Sequence, residues 1–95
     1  MSDTNELPAT AGGREQLSQR LADISAKVDQ GDFSGARADM FVGRWKEGVA
    51  ADDVPEDDLT QAGMHMDTAH SALSRWPPDL PTATKAIAEA RKIVG

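Results

Sequence analysis

The sequence contains no cysteine and no tyrosine, and aromatic residues make up only 4% of its 95 positions. Without a thiol there is no disulfide framework, no thiolate metal site and no cysteine nucleophile. No run of about 18 apolar residues is present, so no membrane-spanning helix is expected. No basic start leads into an apolar leader segment, which makes a cytoplasmic setting the expectation. Positive charge is scarce as well: 10 Lys and Arg stand against 16 Asp and Glu, for a net charge of -6. Acidic groups outnumber basic ones in both halves of the chain. Nucleic-acid affinity rests on cations that neutralise phosphates, so direct contact with DNA or RNA is not expected.

Motifs that carry chemistry are also missing. Ser18, Ser25, Ser34, Ser71 and Ser74 lie in helical sequence, and none sits in a G-x-S-x-G elbow. There is no phosphate-binding loop, no dinucleotide fingerprint and no H-E-x-x-H pair. An enzyme is therefore not expected, and neither is a cofactor.

What the chain does hold is a 39% hydrophobic share arranged in helical stripes. Residues 1–13 mix Ser2, Asp3, Thr4, Asn5, Pro8, Gly12 and Gly13 with little that can pack, and read as a disordered tail. A first helix is predicted over 14–30, because Leu17, Leu21, Ile24 and Val28 recur at helical steps before Gly31 stops it. Asp32 is placed to cap a second helix over 33–47. There Phe33, Ala36 and Met40 make one stripe, which Phe41 and Trp45 widen, while Gly35 and Gly43 each lower helix propensity by about 1 kcal/mol.

After a connection at 48–52, Asp53, Pro55 and Glu56 together signal the start of a third helix reaching residue 76. Its stripe of Leu59, Ala62, Met66, Ala69, Leu73 and Trp76 steps by three and four throughout. Pro77 and Pro78 end it. Asp79 caps a fourth helix with the stripe Leu80, Ala83, Ile87, Ala90 and Val94. Short turns force antiparallel neighbours. The expected fold is all-α: a four-helix arrangement of two antiparallel helical hairpins in one domain, residues 14–95.

Three constellations are candidates for function. The acidic run Asp52, Asp53, Glu56, Asp57 and Asp58 lacks the ligand spacing of a calcium loop and suits the positive end of a helix, where it also offers a patch to a basic partner. Met64, His65, Met66 and His70 hold soft-metal ligand types, but only Met66 and His70 share a helix face, so no metal site is assigned. Trp45 and Trp76 each follow an arginine, Arg44 and Arg75, and are either plugs of the core or anchors at an interface, where Trp and Arg are enriched.

Together these features point to a non-enzymatic protein-protein interaction module, a small regulatory or scaffolding bundle. Its partner is another protein or a second copy in a homodimer, because a domain this short buries little surface. The expected binding face comprises Phe41, Arg44, Trp45, Met64, Arg75 and Trp76, with Asp57 and Asp58 at the acidic helix start. The alternative is a small-ligand or metal-binding helical protein using Met66 and His70.

Overall fold

The computed structural model describes residues 12–95, and all regular structure among them is helical. Helix α1 spans Gly13–Asp29 and α2 spans Phe33–Met40, followed directly by a 3-10 segment, Phe41–Lys46. Helices α3, Glu56–Leu73, and α4, Leu80–Val94, complete the described chain. They form two antiparallel hairpins, α1 with α2 and α3 with α4. The second hairpin packs most closely within itself, and its α4 lies on α1 while its α3 meets α2. Among the described residues no helix is long and apolar enough to cross a membrane.

The predicted stripes form the core. Leu17, Leu21, Ile24 and Val28 of α1 are buried, as are Ala62, Met66, Ala69 and Leu73 of α3 and Ala83, Ile87, Ala90 and Val94 of α4. Each fully buried Leu, Ile, Val or Met contributes at most about 1.5–3 kcal/mol, which must offset the entropy of fixing the chain. Two stripe ends depart from expectation. Trp76 lies in the α3–α4 turn and Leu80 is the first residue of α4, and both are exposed rather than part of the seam. Helix α3 ends at Leu73, and the turn closes where the Asp79 amide donates to the Ala72 carbonyl at 2.9 Å.

Gly31 ends α1 as expected. Its φ of +82° places it in the left-handed region, its amide donates to Val28 O, and the Asp32 amide donates to Lys27 O at 2.8 Å. The Asp32 carboxylate then accepts from the Gly35 amide at 3.0 Å, so one residue closes α1 and opens α2. Lys27 bonds Asp39 across this hairpin at 2.5 Å. That hydrogen bond holds the Lys27 pKa above its ordinary value, so its stabilising effect is complete below the usual lysine range and is lost only as pH rises through the raised value. Asp79 caps α4 by accepting from Thr82, which holds its carboxyl below the usual carboxylate range. That contribution is complete above the usual range and is lost as pH falls through the lowered value.

Asp53 corrects the sequence reading. It does not cap α3, whose N-cap is Pro55 without a side-chain bond. Its carboxylate instead accepts from the Arg14 amide at 3.0 and 3.3 Å, and so serves the start of α1, where Gly12 has no side chain to do it. Arg14 completes the junction by donating from Nη1 to Val94 O at 2.7 Å at the far end of α4. This junction also explains Gly13, which reads as tail in the sequence but is helical and buried. Gly12, which also falls in the expected tail, is the N-cap of α1, and residues 1–11 lie outside the described residues.

A Cβ on Gly13 would stand 2.5 Å from Ala50 O and press on the Ala51 backbone. Since both obstacles are main chain, neither can swing aside. Gly13→Ala is therefore expected to destabilise the fold by about 1–3 kcal/mol, despite alanine's better helix propensity. Urea denaturation measures this; equal or greater stability of the variant would contradict the close approach.

Candidate interaction surface

Successive residues of an α-helix turn by about 100°, so Met40 and Trp45 on one helix would point about 140° apart. Both are nevertheless in the core, at 1% and 2% exposure. The chain achieves this by abandoning the helix predicted over 33–47. Regular α-helix ends at Met40, and Val42 (φ 47°, ψ 46°) and Gly43 (φ 77°, ψ 14°) both take left-handed conformations. The reversal swings Trp45 inward. Gly43, whose low propensity is visible in the sequence, takes the second of the two left-handed positions at no steric cost.

Arg20 of α1 fastens the far side of this break. Its Nη1 donates to Glu47 O at 2.7 Å and more distantly to the Arg44 and Trp45 carbonyls at 3.3 and 3.5 Å. Lys46 lies over the Trp45 ring at 5.8 Å from its centroid. The cation over Trp45 is thus Lys46, one residue after it, and not the Arg44 that precedes it.

Turning Trp45 inward leaves Phe41 and Val42 outside, 56% and 79% exposed. They form an apolar knob. Phe41 rests against the His70 ring of α3, centroids 5.8 Å apart and tilted by 38°. Between the knob and α3 runs an open groove of about 610 Å³, lined by Phe41, Val42, Lys46, Gly63, Asp67 and His70 among others. From Gly63 to Ser71 the α3 wall is about 12 Å long. On the other side of the 3-10 segment a smaller cleft of about 300 Å³ is mostly polar, lined by Arg20, Asp23, Asp39, Arg44 and Glu47 with Ile24 and Trp45.

Gly63 forms part of the groove floor. A Cβ there would stand 3.8 Å from Trp45 Cζ2, an ordinary van der Waals distance, so packing does not demand glycine. Val42 is the counterpart on the rim. A β-branched residue in the left-handed region costs roughly 1–2 kcal/mol, and with 79% exposure its side chain recovers little of that by burial. The groove therefore has two residues that local stability disfavours, one at its floor and one at its edge.

The residues expected to bind a partner divide accordingly. Phe41 is on the groove and Trp45 beneath it, buried, so Trp45 supports the surface from inside rather than serving as a contact. Met64 is 64% exposed on the helical turn beside Gly63. Arg44 faces the polar cleft. Arg75 sits 4.0 Å from Asp79 at the α3–α4 turn, and Trp76, 93% exposed, stands on that turn outside the groove lining. Asp57 and Asp58 occupy the first turn of α3, also outside it.

Val42, Lys46, Gly63 and Asp67 were not singled out in the sequence. A β-branched residue followed by glycine inside a helical pattern was the available signal for the first. Of the alternative ligand pair, Met66 is fully buried in the core while His70 is at the groove against Phe41. Among the described residues no group of three or more His, Cys, Asp or Glu is placed to hold a metal ion.

If both groove residues are kept against local stability, relieving them should stabilise the protein. Val42→Asn, which tolerates the left-handed region, and Gly63→Ala, which improves helix propensity, are each expected to add about 0.5–1 kcal/mol. Thermal denaturation checks both; a loss of stability at either position would mean that residue is needed by the fold itself. No family model, curated protein or solved structure matches the chain, so its function is read from the chemistry of this surface.

Proposed function

We propose that the chain is a non-enzymatic protein-protein interaction module of the cytoplasm, binding through the Phe41–Val42 knob and the groove beside it. The observation that carries this reading is Val42: an apolar, β-branched side chain held in a strained conformation and almost wholly in water. Strain of this kind persists where the surroundings enforce it, and it gathers at binding sites. Phe41 adds exposed apolar surface next to it, and Met64 is a further exposed apolar side chain on α3.

The rest of the molecule supports the reading. The core encloses its own stripes without needing these residues, and no buried side-chain polar atom among the described residues lacks a partner. The exposed apolar groups are therefore surplus to folding. A surface with an apolar centre and a polar rim is what a partner protein buries on docking. Here Lys46, Asp67 and Ser71 supply the polar edge.

Site-specific photo-crosslinking in the native cell tests this. A photoreactive residue at Val42 is expected to form protein adducts that the same group at Lys85, exposed on α4, does not form. Equal labelling from both positions, or none from Val42, would contradict the proposed face.

A further inference from the structure

The groove has a feature that a generic apolar patch lacks: its two walls carry opposite charge. Lys46 belongs to the 3-10 segment and Asp67 to α3, and both line the groove. Neither has an ion-pair partner among the described residues, where the pairs are Lys27–Asp39, Arg75–Asp79 and Lys92–Glu89. The apolar knob stands on the basic wall, since Phe41 and Val42 precede Lys46 in the same segment. One surface thus bears a protruding knob, a recess of about 610 Å³, a cation that rests over the Trp45 ring but has no ion pair among the described residues, and an anion likewise without one.

We propose that the occupant of this groove is a second copy of the chain, in a two-fold symmetric dimer. A two-fold interface must be self-complementary, because whatever residue meets a second one across it is met in return. Knob and recess side by side satisfy that condition: Val42 of each copy enters the groove of the other. The charges satisfy it as well, since Lys46 of each copy then faces Asp67 of its mate, giving two equivalent ion pairs. A foreign partner would have to reproduce both features, whereas a second copy supplies them by symmetry. Gly63, at the floor, leaves room for the incoming side chain. The net charge of -6 opposes association at long range, but at 0.1 M salt that repulsion is screened beyond about 10 Å.

This inference rests on the interaction-module reading and narrows its partner. The test is sedimentation velocity on the full chain at physiological salt, from low micromolar to near-millimolar concentration, with Lys46→Glu and Asp67→Lys variants. Both positions are exposed, and circular dichroism verifies that the variants remain folded. The wild type is expected to shift from monomer to dimer as concentration rises. Either substitution alone sets like charges face to face at both contacts and is expected to weaken the dimer at least tenfold.

Mixing the two variants gives the decisive readout. In the mixed pair the new glutamate of one chain faces the new lysine of the other, and native Asp67 faces native Lys46, so a heterodimer is expected although neither variant dimerises well alone. A wild type that stays monomeric throughout, or variants that dimerise unchanged, would overturn the proposal. A monomeric chain crosslinked through Val42 to a different protein would overturn the self-association and leave the interaction module standing. A monomeric chain with no crosslinks at Val42 would end both.

Discussion

Met40 and Trp45 have to occupy the same core, and one continuous α-helix cannot deliver them to it. Five residues of helix separate the two side chains by about 140°, so continuing α2 would leave either the thioether or the indole in water. An indole is among the largest apolar surfaces a chain can bury. Burying it outweighs the loss of helical hydrogen bonds over one turn and the strain at Val42. From this one constraint follow the break at Met40, the left-handed pair Val42 and Gly43, and the outward position of Phe41 and Val42. The surface features of the molecule are thus the reverse side of a packing decision in its interior.

Such a break needs to be held, and arginine holds it. Arg20 donates to carbonyls at the end of the 3-10 segment, Arg14 to those at the end of α4, and Arg37 to Leu73 O at the end of α3. In each case a cation from one element meets the unsatisfied carbonyls at the C-terminus of another, where the helix dipole also favours positive charge. Four helices with short turns leave many such carbonyls. In an acidic chain with few cations, spending three arginines this way leaves Lys46 as the cation of the groove.

The helical architecture was legible because its signals are local and repeated. The stripes of α1, α3 and α4, the glycine stop at Gly31 and the caps at Asp32 and Asp79 each depend on residues within a turn of one another. What periodicity could not show was competition between elements. Asp53 sits where an α3 cap is expected, yet it serves α1, a partner 39 residues away. Gly13 resembles tail sequence until the Ala50–Ala51 backbone is seen beside it. The apparent second stripe of Phe41 and Trp45 has the right spacing for a helix, but the two side chains end on opposite sides of the surface. Of the residues expected on the binding face, Phe41 lines the groove and Met64 is exposed on α3 outside its lining, whereas Lys46 and Asp67 are ordinary charges in the sequence and acquire meaning only across the groove.

The placement of Trp45 is therefore the point on which the account turns. Trp76→Phe leaves Trp45 as the sole indole and removes a side chain that is 93% exposed. In that variant, Trp45 fluorescence should be blue-shifted and poorly quenched by acrylamide, while backbone chemical shifts should be helical through Met40 and left-handed at Val42 and Gly43. A readily quenched, red-shifted indole together with unbroken helical shifts across 33–47 would contradict it.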